Sequence, residues 1–449
     1  MKRFVRKLAR VLVIFIVGYG FLVPTRVPAA GIESPQGNIQ LTDSQPPAQL
    51  PELRLEDLIQ EALKRNPDMI AAKAEWLAAK KRVLQAWALP DPKVGMDVMG
   101  EMVETRVGPE ENRMVVAQQI PFPLKLWERR KAAKEAAKVA EQQYYAVRRD
   151  ILWQLKSAYY KLYRVDASTD VIRETHELLK KTEKVAESRY ASKSAAQRDV
   201  AKAQAEVSLS LEQIYMLQQN RESLVAKINA LLDRDPLGGL GKTVKPEKPE
   251  LKMTLIEIIN LAVKHRPEVN AGSARKAQSR HEKTLAQMEN LPDLDMEWSY
   301  TWVKNGTTDD PDDGKNSWMI PLRINVPLWQ NRIIPAIQEA QKKVEAAEAS
   351  LGAAKNLTFY EVKDAYVRYQ AAAQIVLLYE TAVIPQAELA LRSDQSGYES
   401  GSTDFLNLLD SERVFLNTKL NYVKFYAEAL KGTADLERAA GIDLTGGTS

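Results

Sequence analysis

A tandem repeat constrains this chain more than any single motif does. Leu55-Glu-Asp-Leu-Ile-Gln-Glu-Ala-Leu-Lys-Arg-Asn-Pro67 aligns without gaps on Leu255-Ile-Glu-Ile-Ile-Asn-Leu-Ala-Val-Lys-His-Arg-Pro267, 200 residues later. The order then holds to the end. Leu89-Pro90-Asp91 answers Leu291-Pro292-Asp293, Phe122-Pro123-Leu124 answers Val326-Pro327-Leu328, Ala158-Tyr159 answers Ala365-Tyr366, and Tyr190 answers Tyr398, the offset reaching only 208. Two copies of one unit must therefore fold alike.

Within each unit the residues predict a helix of about 35 residues, two strands, a helix of about 65 to 70, a break, and a helix of about 37, all rich in the strong helix formers Ala, Glu, Lys, Gln and Arg. The long helix spans roughly 100 Å. Such helices, with a thin apolar stripe, pack side by side as antiparallel coiled-coil hairpins. Pro385 predicts a kink just after Ile384. The units are 55–232 and 251–441, followed by a tail, 442–449. Between them, 233–250 is rich in glycine, proline and lysine and reads as an exposed linker. Its Gly238-Gly-Leu-Gly-Lys-Thr243 resembles the end of a phosphate-binding loop, but Pro236 stands where that loop needs glycine and a helical run precedes it.

Residues 1–30 read as a cleaved signal peptide: a basic start, thirteen mostly apolar residues from Val11 to Val23, then Val27-Pro28-Ala29-Ala30. Thirteen residues rise only about 20 Å, too short for a permanent anchor. Residues 31–54 read as an extended segment. Removing Lys2, Arg3, Arg6, Lys7, Arg10 and Arg26 takes the formal charge from +4 to about −2, so no basic footprint for nucleic acid remains. With no cysteine, disulfides, thiolate metal sites and a cysteine nucleophile are excluded.

The strands carry a membrane signal. Leu294, Met296, Trp298, Tyr300 and Trp302 alternate with Asp295, Glu297, Ser299 and Thr301; Trp318, Ile320, Leu322, Ile324 and Val326 alternate with Met319, Pro321, Arg323 and Asn325. Each run is about ten residues, enough to cross an outer membrane when tilted. Alternation alone also suits a half-buried strand in a soluble sheet. The aromatic cluster Trp298, Tyr300, Trp302 and Trp318 favours a lipid-facing girdle. Val94, Met96 and Val98, then Met114, Val116, Gln118 and Ile120, form a weaker pair in the first unit. Four strands cannot close a barrel in lipid, so copies must assemble, and twelve strands from three chains leave an open lumen.

The Ala62-Leu-Lys-Arg-Asn-Pro67 opening, the Leu-Pro before each strand pair, Gln119-Ile-Pro-Phe-Pro-Leu-Lys-Leu126 and Tyr398-x-x-Gly401, in this order across nearly the whole mature chain, resemble the TolC-like outer-membrane efflux family. The resemblance implies a mainly α fold with a small β part: a homotrimer with a coiled-coil α-barrel reaching through the periplasm and a 12-stranded β-barrel in the outer membrane. It further implies a periplasmic adaptor protein, a proton-driven inner-membrane pump, no cofactor and no chemistry in the channel itself. Tyr190, Lys193 and Ser194 in one turn, and Gly401 and Ser402 in the other, are the segments implied for adaptor contact.

The resemblance also places a gate at these turns. It puts Tyr398 on the gate tyrosine, Asp199 on that tyrosine's partner, and Asn407 and Asp410 on a pair of ring aspartates. Thr403 stands where the family example has a gate arginine, and Lys193 replaces a turn glycine. Asn407 and Asp410, three apart, share a helix face, and three-fold symmetry would turn Asp410 into a carboxylate ring. The expectation is that Tyr398 bonds Asp199 in the closed state.

Leu89-Pro-Asp-Pro-Lys93 and the stretch around Phe122 look most like the heavy-metal branch of the family. His176, His265 and His281 are scattered, so no metal site is expected in the chain. The rivals are a conduit for secreted protein and a noncatalytic periplasmic scaffold. An enzyme fits least: no Ser-His-Asp order and no HExxH motif occur.

Overall fold

The computed structural model describes residues 51–444 apart from 101–103, 249, 250, 307, 308 and 310. The expected signal peptide, most of the segment 31–54, and 445–449 lie outside the described residues.

Each unit opens with two helices, not one. α1 (Leu55–Arg65) and α2 (Pro67–Gln85) are separated at Asn66, and α5 (Leu255–His265) and α6 (Pro267–Met288) at Arg266. The prolines force this break, because the residue before a proline is driven out of helical geometry and the proline then starts the next helix. The Asn66 side chain caps α2 by accepting from the Met69 N–H (3.1 Å).

Then come β1 (Lys93–Val98) and β2 (Glu110–Ile120), followed by α3 (Pro123–Ala191) and α4 (Gln197–Leu231). The second unit supplies β3 (Leu294–Val303), β4 (Ser317–Met319), β5 (Leu322–Ile324), α7 (Gln330–Leu378), α8 (Ile384–Ser400) and α9 (Phe405–Ala440). β4 and β5 are two halves of the one expected strand, interrupted at Pro321, which has no N–H for the ladder. Just before the position where the kink was expected, a π turn, Tyr379–Val383, joins α7 to α8 and accommodates the amide that Pro385 cannot donate.

α3 is 69 residues long, about 100 Å. With α7 it runs through both halves of one helical layer. On the sheet side the packing order is α2, α3, α6, α7; on the turn side it is α4, α3, α9 and then α7 with α8. The helices meet in a middle core that includes Leu155, Leu162, Ile228 and Tyr426, with Ile258, Val362 and Leu436 forming its second-unit counterpart.

The segment read as an exposed linker is exposed without interruption only at 233–239, and Leu240, Gly241 and Thr243 beyond it are buried. From Leu240 it is strapped across the helices. Asp166 accepts the Thr243 N–H (3.0 Å) and hydroxyl (2.9 Å), Arg221 donates to the carbonyls of Leu240 and Gly241, and Tyr426 donates to that of Pro246. Thr243 also bridges Leu53 in parallel. Buried side chains thus replace the water that a loop's backbone would otherwise need. Lys242 is paired with Asp170, and Thr243 with Asp166, so the phosphate-loop-like residues are occupied as structural ties.

Where helices meet sheet, Lys125 is 1 % exposed and donates to Leu291 O (2.8 Å) and Asp293 Oδ1 (2.9 Å). The same Asp293 oxygen accepts the Phe122 N–H (2.9 Å). One carboxylate thereby joins the start of the first unit's long helix to the start of the second unit's strands.

Candidate functional site

The sheet is antiparallel in the order β1-β2-β3, with β4 and β5 both on the far side of β3. Its register aligns the apolar sets read from sequence. Met96 faces Met114, which faces Tyr300, which faces Trp318; Val94 faces Val116, which faces Trp298; Ile120 faces Leu294, which faces Ile324. Opposed residues project to one side, so these residues share one face. That face is open: Val94, Val98, Trp318, Leu322 and Ile324 are each more than 60 % exposed. Trp298 is exposed, while Tyr300 and Trp302 are half-buried against each other at 5.2 Å.

The opposite face is polar and more buried. Arg113 lies 3.3 Å from Asp97 and 3.7 Å from Glu297, which also binds Arg323 at 2.5 Å. Glu297, Ser299 and Thr301 are buried there. A sheet whose apolar face is the open one, with its ion pairs on the other, is the reverse of a soluble one.

A second aromatic group escaped the sequence reading. Trp87, Trp127 and Trp329 are all exposed at the junction of strands and helices. Trp87 and Trp127 meet edge-on at 6.1 Å; the Arg130 guanidinium lies 5.6 Å from the Trp87 ring and the Lys131 ammonium 5.4 Å from the Trp127 ring. Their signal was present: each lies within about four residues of the Leu89-Pro90, Phe122-Pro123 or Val326-Pro327 boundary.

At the other end, the α3–α4 and α8–α9 hairpins pack together around Leu179, Ala186, Ala203, Leu391, Tyr398, Phe405 and Leu408. Their turns are built alike. Lys193 and Gly401 both adopt left-handed backbone, with φ 59° and 83°. The Ser194 N–H donates to Arg189 O and the Ser402 N–H to Gly397 O, each at 2.8 Å. Lys193 therefore occupies a position suited to glycine. Tyr190, Lys193, Ser194, Gly401 and Ser402 are all exposed at the tip.

The two tyrosines differ. Tyr190 is exposed, whereas Tyr398 is 3 % exposed, its ring 5.5 Å from Phe405. The expected Tyr398–Asp199 bond is not made. Among the described residues the Tyr398 hydroxyl has no hydrogen-bond partner, and the Asp199 carboxylate faces its own helix start, accepting the Ala196 N–H (3.4 Å) beside Arg198 (3.6 Å). That choice has a reason: a carboxylate in the first turn satisfies a free amide and complements the helix dipole. Burial raises the Tyr398 hydroxyl's pKa, with Arg189 opposing and Asp199 adding.

What does hold Tyr398 is Arg189, at the end of α3. Its guanidinium donates to the Tyr398 carbonyl, lies 4.5 Å from the ring centre, and reaches Ser194 O. Asn407 and Asp410 are exposed on one face of α9, and the Asn407 N–H caps on Asp404 (2.9 Å). Two turns along from Phe405, buried Glu412 accepts the Thr182 hydroxyl (2.7 Å), leaving Oε2 without a partner among the described residues. Among the described residues no group of three or more His, Cys, Asp and Glu is arranged to hold a metal ion, and no helix is long and apolar enough to cross a membrane.

The architecture is that of known outer-membrane proteins. The outer membrane protein VceC from Vibrio cholerae superposes with a TM-score of 0.73 over 87 % of this chain and 96 % of its own, at 21 % identity. CusC superposes at 0.72 over 92 % and 99 %, at 16 % identity. The cobalt-zinc-cadmium resistance protein CzcC of Cupriavidus metallidurans is 23 % identical over 403 residues, 87 % of this chain and 90 % of its own. The model of the outer membrane efflux protein family matches residues 58–233 and 258–442, one block per repeat. The chain belongs to the outer membrane efflux protein family.

Proposed function

We propose that three copies of this chain form a passive outer-membrane conduit, the exit duct of a tripartite efflux system, with its gate at the hairpin tips. The observation that carries the reading is that both layers are unfinished in the same sense. Among the described residues the sheet ends in two unpaired edges, β1 and β4 with β5, and the helical layer ends in α2 and α7 on one half, α4 and α8 on the other. Ile70, Leu77 and Leu84, seven apart on α2, are exposed, as are Tyr215 and Met216 on α4 and Leu377 and Leu389 on the opposite edge. Unlike edges pairing head to tail close into a ring. Three copies supply twelve strands, wide enough for a water-filled lumen.

With the charged face of the sheet inward, the lumen is lined by Arg113, Glu297 and Arg323, and the open apolar face lies in lipid. Trp298, Tyr300, Trp302 and Trp318 then form the outer aromatic girdle, and Trp87, Trp127 and Trp329 the periplasmic one. At the tips, Asp410 forms a three-fold carboxylate ring with Asn407 beside it, favouring cations at the constriction. The exposed turns meet a periplasmic adaptor protein, which links the duct to a proton-driven inner-membrane pump. The duct itself does no chemistry.

The cargo reading is divalent or monovalent metal ions, supported by the similarity to a cobalt-zinc-cadmium resistance protein. Deleting the gene and plating on graded cobalt, zinc, cadmium, copper and silver tests it. Sensitisation to one or more of these metals, restored by the plasmid-borne gene, is expected; unchanged tolerance to metals and drugs alike contradicts efflux.

A further inference from the structure

We infer that Arg189 is the latch of the gate, holding the two hairpins of each copy together through the backbone and ring face of Tyr398. The inference rests on the tips being the gate. Arg189 ends α3 in the first unit and Tyr398 ends α8 in the second, so the contact ties one hairpin to the other. Its guanidinium donates to the Tyr398 carbonyl, stands 4.5 Å from the ring centre and touches its own turn at Ser194 O. Among the described residues it has no carboxylate partner at salt-bridge distance. An arginine whose charge is directed at a carbonyl and an aromatic face, not at an acid, is positioning that tyrosine.

The repeat makes the assignment directional. The residue matching Arg189 in the second turn is Gly397, so no reciprocal clasp reaches Tyr190, and Tyr190 is exposed while Tyr398 is buried. The guanidinium also packs beside the second turn: a Cβ at Gly401 would lie 3.6 Å from Arg189 Nη2, an ordinary van der Waals distance. The Tyr398 hydroxyl takes no part, having no hydrogen-bond partner among the described residues. A latch made by the carbonyl and ring predicts that the hydroxyl is dispensable, the opposite of a Tyr398–Asp199 bond.

The test is single-channel recording of purified protein in planar bilayers, with thermal unfolding as the check on folding. Arg189→Ala should raise the open probability or mean conductance about tenfold, with Arg189→Lys between it and the native protein. Tyr398→Phe should leave conductance unchanged. If Arg189→Ala assembles poorly, Arg189→Gln provides the same comparison, expected to conduct more than Arg189→Lys because it lacks the charge over the ring. An Arg189 series with native conductance overturns the latch, as does a Tyr398→Phe rise equal to that of Arg189→Ala. Asp410→Asn separates the two levels: if it changes cation selectivity while the Arg189 variants do nothing, only the latch fails, and if neither acts, the gate has been placed at the wrong end.

Discussion

Replacing Lys125 with methionine should cost about 3 kcal/mol of stability. The figure follows from the site: Lys125 is 1 % exposed, and its ammonium fills Leu291 O and Asp293 Oδ1 together. Removing one partner of a buried ion pair costs about 3–5 kcal/mol, mostly because the other charge is stranded. The Asp293 side chain is 16 % exposed and keeps the Phe122 N–H, which places the loss at the lower end. Replacing Asp293 with asparagine as well removes the stranded charge, so the double variant should recover about 2 kcal/mol of the summed single losses. Guanidinium unfolding in one detergent at one protein concentration, followed by circular dichroism, measures all four proteins. A Lys125→Met loss below about 1 kcal/mol, or single losses that simply add in the double variant, would show that this carboxylate does not join the two units.

Burial raises the Glu412 carboxyl above its ordinary range, with the Thr182 hydroxyl opposing and Glu206 adding. Its stabilising contribution is therefore full below the ordinary glutamate value, about 4.3, and is lost as pH rises through the raised value; Glu412→Gln should flatten that part of the stability profile, read by thermal melting from pH 4 to 8. Lys193→Gly should stabilise the first turn by up to about 1 kcal/mol, because the left-handed backbone strains a side chain, and an unchanged or lower melting temperature would count against the turn geometry. Trp127→Phe should remove part of the fluorescence quenched by bromine-labelled phospholipid in vesicles; full retention of that quenching means Trp127 does not face lipid.

The repeat was legible because the two units keep the same punctuation: Asn66-Pro67 against Arg266-Pro267, Phe122-Pro123 against Val326-Pro327. Two prolines were misjudged locally, since periodicity ran through Pro67 and Pro321: Pro67 drove Asn66 out of helical geometry, and the missing N–H of Pro321 interrupted the strand. The apolar face was readable from alternation together with the tryptophan cluster, and the register then aligned four strands without exception among Met96, Met114, Tyr300 and Trp318. The strap at 240–248 was illegible because its satisfaction comes from Asp166, Arg221 and Tyr426, distant in sequence and ordinary in type. At the hairpin tips, the two turns were legible and the expected Tyr398–Asp199 contact was not made. Asp199 had a nearer use at its helix start, and Arg189, on a helix full of arginines, carries no pattern that marks it.

Single-channel recording with reversal potentials in a salt gradient tests the central claim most directly. Detergent-extracted protein should insert into planar bilayers as discrete conductance steps that select cations, and Asp410→Asn should lose much of that selectivity. Folded protein that produces no steps, or steps with no preference for cations in either form, would contradict a conduit gated by a ring at its tips.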